Sequence, residues 1–225
     1  AKIYENVKAT VSVDGKLLGV PLESQAWGVL YNKTIFEELK LEAPKTLTEL
    51  KNIVEVLKAN DYTPFMLAFQ EQWVPQLMTA LTLGGKVSGE IPDWVERMNK
   101  NEGSYSEVAD IFGPIDLIME NGTNRAMEVG SEAGAADFAN GKAAMFVQGT
   151  WAAGTIMTTN PDMKLGVFAL PVNDNEATTS VNFQHRRHLL FILMQKRWTW
   201  HLNLQTMYLT IKIQRLYSKR VHLIL

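Results

Sequence analysis

Apolar positions recur along this chain at two spacings, and each spacing names a kind of element. Leu47, Leu50, Val54 and Leu57 fall on one helical face, so residues 47–59 are predicted as an amphipathic helix. Thr46 and Glu49 precede it at N-cap and N3, a capping box in which each side chain satisfies the other's free backbone N–H. The same device is predicted for "TIFEEL", with Thr34 as N-cap and Glu37 at N3. The stretch "VSVDGKLLGVPLE" (11–23) alternates around Asp14-Gly15, the signal of a type I′ hairpin. Short apolar runs at 26–33, 62–69, 143–149 and 164–172 read as buried strands. Helices are predicted at 72–85, ended by Gly84-Gly85, near 92–99 and 105–120, at 131–140 before Gly141, and from Thr150 to Met157. Strands alternating with helices predict an α/β fold with a largely parallel sheet.

Composition narrows the chemistry. The 225 residues are 46% apolar, enough for a sizeable core, and no run approaches eighteen apolar residues. The chain has no cysteine, which excludes disulfides and thiolate chemistry. The net charge of −2 hides a break: all 24 Asp and Glu lie at or before Glu176. Residues 1–176 carry a net of −10 and no histidine, whereas 177–225 carry eight Lys/Arg, all four His and no acid. The acidic part argues against nucleic acid as a partner. It holds no Gly-rich phosphate loop, no His-x-x-x-His metal pair and no serine nucleophile elbow.

What remains is aromatic. Three tryptophans stand beside polar groups where strands give way to loops: Trp27 with Glu23 and Gln25, Trp73 with Glu71, and Trp151 with Gln148. In α/β folds, ligands bind at such strand ends and helix starts. Flat rings beside carboxylates and amides suit sugars, which present apolar C–H faces and rings of hydroxyls. Each of these residues taken singly also fits ordinary packing or solvation. Glu23 and Glu71 are in addition the one carboxylate pair that could serve a glycosidase, the alternative enzymatic reading.

The strings "VDGKLLGVPLE", "WGVLYNKTIFEELKLEAPKTLTEL", "DFANGKAAMFVQGTWA" and "MKLGVFALP" occur in the order of a known family. Over residues 3–176 the chain resembles the extracellular sugar-binding proteins of bacterial ABC importers, the family 1 solute-binding proteins. The resemblance implies a periplasmic-binding-protein-like fold (type II), two-lobed and hinged, that closes on a carbohydrate and delivers it to ABC transporter permease subunits. It implies no catalysis and no cofactor or metal, a monomer, and a place in the periplasm or on the outer face of the membrane. Its first crossover strand falls on Gly19–Leu30, with Glu23 or Gln25, and Trp27, toward the cleft. Glu71 and Trp73 fall on its acid-and-aromatic segment, and Gly149–Trp151 on a helix start whose tryptophan is a stacking platform. The expected domains are 1–25, a remnant of the first lobe with the crossover strand, 26–176, the second lobe, and 177–225, an aberrant basic tail. Family members are nearly twice this length, so the rest of the first lobe, the export signal and any lipid anchor are expected upstream of this chain.

The tail allows three readings, of which the plainest is an unusual but genuine terminal helix. Its basic and aromatic residues suit an arm for a membrane surface or nucleic acid, a basic-tailed interaction protein. The genetic code offers another. Joining the last base of each codon to the first two of the next turns Met194-Gln195 into Ala, Trp198-Thr199 into Asp, Trp200-His201 into Ala and Met207-Tyr208 into Val. The shifted text can read Asp-Ala-Lys-Lys-Met-Asp-Leu-Ala-Leu-Glu-Leu-Ala-Asp-Tyr-Val, an amphipathic helix with its acids restored. A change of reading frame between about Thr178 and His188 is therefore expected.

Overall fold

The long strand β3 (Gly19–Asn32) organises the computed structural model, which describes residues 12–17, 19–179 and 182–190. The chain divides into two compact units, residues 1–23 with 187–225, and residues 24–186. In the first unit β1 (Ser12–Val13) and β2 (Lys16–Leu17) form the predicted hairpin, with Val13 opposite Lys16. Asp14 and Gly15 both take positive φ, 50° and 73°, as a type I′ turn requires.

The second unit carries the core. Its sheet runs β4 (Phe65–Met66), β5 (Met145–Gly149), β3 and β6 (Leu165–Phe168), and β7 (Asn182–Leu190) also pairs with β3. One face packs on α1 (Lys33–Glu38), α2 (Leu47–Ala59), α3 (Trp73–Glu90) and α5 (Phe112–Glu120). Val29, Phe65 and Val147 from the sheet meet Phe36, Leu50, Leu57, Leu77 and Ile118 there. The other face packs Leu30, Phe146 and Leu165 against Phe138 of α6 (Ser131–Ala139) and Ile156 of α7 (Ala153–Thr159). Alternate residues of β3 and β5 thus feed opposite cores, the period-two rule of a strand buried on both faces. Each fully buried aliphatic or aromatic side chain contributes about 1.5–3 kcal/mol of burial free energy. A third, smaller cluster joins Trp94 of α4 (Trp94–Asn99) to Val108 and Ile111.

Three expectations are corrected. The sheet is not largely parallel: β4–β5 is, but β3 runs antiparallel to both β5 and β6. The alternating pattern foresaw the crossover from β5 through α7 to β6 but not that β3 lies between those two strands. The N-cap of α1 is Asn32, whose Oδ1 accepts from Thr34 N–H at 3.0 Å and Ile35 N–H at 3.4 Å, so Thr34 stands inside the helix. And α3 does not stop at Gly84-Gly85 but continues to Glu90. A Cβ on Gly85 would lie 3.0 Å from both Val172 methyls, so that glycine serves close packing on the helix flank. The capping box at Thr46 and Glu49 is present.

The close of the described lobe is tied in by side chains. Asp174 accepts from Thr48 N–H at 2.7 Å and from its hydroxyl at 2.9 Å, bonds that hold the Asp174 carboxyl below its usual range. Thr178 is buried and donates to Asn173 Oδ1 at 2.8 Å, and Thr179 Oγ1 donates to Lys45 O at 2.8 Å. A hydrogen bond needs the right side chain at the right place, so residues through Thr179 belong to this lobe's sequence-specific packing.

Candidate functional site

The parallel strands β4 and β5 each deliver one tryptophan to the same edge of the sheet. After β4 the chain stays buried through Phe69, whose N–H bonds Ala126 O at 2.7 Å, while Gln70 N–H bonds Val129 O at 3.1 Å. It then turns into α3, with Glu71 just before the helix and Trp73 its first residue. After β5 the chain makes a 3-10 turn, Thr150–Ala152, that holds Trp151. Thr150 Oγ1 accepts from Ala26 N–H at 3.1 Å and locks this turn to β3. Trp27 of β3 stands opposite Gly149 in the β3–β5 register.

The three rings therefore meet. Trp151 is central: its centroid lies 5.7 Å from Trp27, with planes at 85°, and 5.8 Å from Trp73, with planes at 59°. Edge-to-face and tilted pairs of this kind are favoured by the ring quadrupole, at about 0.5–1.5 kcal/mol each beyond area burial. Trp27 and Trp151 are half-buried, whereas Trp73 is 40% exposed and offers most of the open aromatic surface. Trp27 Nε1 is buried with no hydrogen-bond partner among the described residues, so ring contacts and strand pairing hold this side chain in place. Gly149 makes the cluster possible: a Cβ there would lie 1.9 Å from Trp151 Cζ3.

The polar residues predicted alongside behave differently. Glu71 is half-buried and accepts from Ser131 N–H at 2.8 Å and from the Ser131 hydroxyl at 3.4 Å, at the start of α6. Gln148 is only 1% exposed, and its Oε1 accepts from Gly149 N–H at 3.1 Å, so it shapes the backbone beneath Trp151 from inside the lobe. Gln25 is 8% exposed on the same strand face as Trp27. Glu23 lies on β3 in the other compact unit, and its side chain is outside the described residues. The structure thus gathers Trp27, Trp73 and Trp151, sets Glu71 two residues before Trp73, and buries Gln25 and Gln148. Sequence reasoning missed Thr150, Gly149 and Ser131 as the parts that position them. One signal was available for Ser131: α6 starts after Gly130, which has no side chain to cap it, so an acceptor must come from elsewhere.

Among the described residues no three His, Asp or Glu side chains gather to hold a metal. A separate surface cavity of about 320 Å³ is lined by Met66, Thr123, Arg125 and Lys142 among others, with no aromatic residue among the described ones that line it. Its Arg125 and Lys142 are paired with Glu128 and Asp137.

The model of the bacterial extracellular solute-binding proteins matches residues 1–183. The chain belongs to that family. It is 32% identical over 165 residues to the multiple sugar-binding protein of Streptococcus mutans, covering 71% of this chain and 39% of that protein. Among solved structures it is similar to RafE in complex with raffinose, with 25% identity and a TM-score of 0.61 over 82% of this chain and 49% of that one. A sugar transporter of Bacillus licheniformis in complex with stachyose shares the fold at 17% identity, with a TM-score of 0.66 over 92% of this chain and 54% of that one. The chain thus spans about half the length of these solved relatives and less of the curated one. The mixed α/β lobe fits the periplasmic-binding-protein-like fold that the sequence implied.

Proposed function

We propose that residues 24–186 form one wall of a carbohydrate-binding cleft in a protein that hands its sugar to an ABC import permease. The observation that carries this reading is the cluster of Trp27, Trp73 and Trp151 at one edge of the sheet, beside Glu71. Trp73 supplies an open face for a pyranose ring and Trp151 a second plane inclined to it. The similarity to sugar-binding relatives supports the same ligand class, and RafE makes raffinose the first probe. Closure of a second wall excludes water, and discrimination then comes from hydroxyls that are or are not satisfied.

The reading includes no catalysis and no cofactor. Glu71, one of the two carboxylates a glycosidase would need, already spends its oxygens on Ser131. The working protein is a monomer outside the cell, held by a lipid anchor or free in a periplasm, with permease subunits as its protein partners. A thermal-shift screen of the longer protein containing this lobe tests the reading, run beside chromogenic glycosides. Raffinose or a related oligosaccharide raises Tm, since a ligand that binds only the folded state stabilises it, and no chromophore is released. Steady glycoside turnover, or no shift with any sugar, overturns it.

The reading also takes the tail beyond the start of β7 as text in a shifted frame, with no selected role of its own. The family match ends at residue 183, and the side-chain bonds of Thr178 and Thr179 lie just before it. Resequencing the gene is expected to reveal an inserted or missing base after the codon for Thr179; an intact open frame through residue 225 contradicts the frame change.

A further inference from the structure

Resting on that sugar-binding reading, we propose that the first turn of α6 is the jig that fixes the angle and spacing of Trp73 and Trp151, and that Glu71 is a positioning residue within it. Two consecutive residues of α6 reach the two arms of the platform. Ser131 donates its backbone N–H to Glu71 Oε2 at 2.8 Å, two residues before Trp73. Glu132 Oε2 accepts from Thr155 Oγ1 at 2.9 Å, four residues after Trp151. The contact between the Trp73 and Trp151 rings, at 5.8 Å, closes the circuit.

The rest of the circuit explains why this turn sets the geometry. The start of α3 has no side-chain cap of its own, because Gln72 makes no such bond. What directs Trp73 is therefore Glu71, whose carbonyl accepts from Val74 N–H at 3.1 Å and whose carboxylate is anchored on α6. A carboxylate on a free helix N-terminal N–H is a charge-assisted bond, favoured further by the helix dipole. Gly130 lets the two segments approach: a Cβ there would lie 2.9 Å from Gln70 Oε1 and 3.2 Å from Glu71 Oε1. At its far end α6 is tied to α7 by Asn160 Nδ2, which donates to Ala139 O at 3.0 Å. The pair α6–α7 is thus pinned at both ends, and a shift at Ser131 moves Trp73 against Trp151.

The test uses the chain as it is and a readout that needs no sugar. Two inclined tryptophans this close couple their transitions and give an exciton couplet in far-ultraviolet circular dichroism. Glu71→Ala is expected to abolish most of the Trp73–Trp151 couplet, while Glu71→Gln, whose amide oxygen still accepts from Ser131 N–H, keeps it. Gly130→Ala, which leaves the carboxylate in place but pushes the segments apart, diminishes the couplet if Glu71→Ala fails to fold. In the longer protein, raffinose affinity is expected to fall roughly tenfold for Glu71→Ala and to be largely rescued by Glu71→Gln. A wild-type couplet in folded Glu71→Ala or in Gly130→Ala overturns the proposal. So does Glu71→Gln losing as much affinity as Glu71→Ala with its couplet intact, the result of a carboxylate that meets the sugar directly. A wild-type protein that binds no sugar while the couplets behave as expected overturns the sugar reading and leaves the jig standing.

Discussion

Trp151→Ala is expected to weaken sugar binding at least ~tenfold, about 1.4 kcal/mol or more, in the longer protein that carries this lobe. Among the described residues, Trp151 is the ring that touches both Trp27 and Trp73, at 5.7 Å and 5.8 Å. Removing it deletes one plane of the platform and also the surface against which Trp73 rests. Trp73 is 40% exposed, so the Trp151 face is a large part of what its ring packs on, while Glu71 sets the backbone from which it projects. The substitution should cost about 2 kcal/mol of stability, below the ~3–5 kcal/mol of a fully buried Trp→Ala change, because Trp151 is half-buried. Calorimetric titration with raffinose reads the first effect and thermal unfolding the second. Unchanged affinity removes Trp151 from the site.

Gly149→Ala is the complementary prediction, because it keeps every aromatic group and moves one. The backbone at Gly149 has φ −86° and ψ 161°, a conformation alanine adopts without strain, so the whole effect is steric. The new Cβ would lie 1.9 Å from Trp151 Cζ3 and 2.2 Å from Cε3 and Cη2, and the ring must leave its place. We expect a raffinose affinity loss comparable to that of Trp151→Ala, roughly tenfold, with about 1–3 kcal/mol of destabilisation from overpacking. Gly154→Ala is the control: apart from its own helix backbone and chain neighbours, no atom of the described residues lies within 4 Å of an added Cβ, and it sits in α7, where alanine is about 0.5–1 kcal/mol better than glycine. If Gly149→Ala binds sugar as the unmodified protein does, the position of the Trp151 ring is irrelevant to binding.

Much of this lobe was legible from local chemistry. The hairpin at Asp14-Gly15, the boxed helix from Leu47 and the glycine stop at Gly141, with φ 81°, all follow from residues within one turn of each other. The misjudged features depend on distant residues. Gly85 is a helix stop by sequence and a packing surface for Val172 in the fold. The direction of the sheet turns on β3 entering between β5 and β6, a contact across more than a hundred residues that no local pattern encodes. The site divides in the same way. Strand ends put Trp73 and Trp151 on one edge, which the alternation of elements implied, and Trp27 joined them through pairing with Gly149. Gln148 looked identical in kind to Glu71 as a polar neighbour of a tryptophan. It lies on β5, where alternation turns its side chain to the inside, whereas Glu71 lies on a loop that approaches α6.

The central claim is that a sugar ring lies against the Trp73–Trp151 corner. Saturation-transfer NMR, with raffinose added to the 225-residue chain, reads that contact through the sugar's own C–H protons and registers weak binding. The account predicts transfer concentrated on the C–H face of one ring of the trisaccharide, lost in both Trp73→Ala and Trp151→Ala and kept in Gly154→Ala. No transfer to any sugar proton, or transfer undiminished in both tryptophan variants, contradicts it.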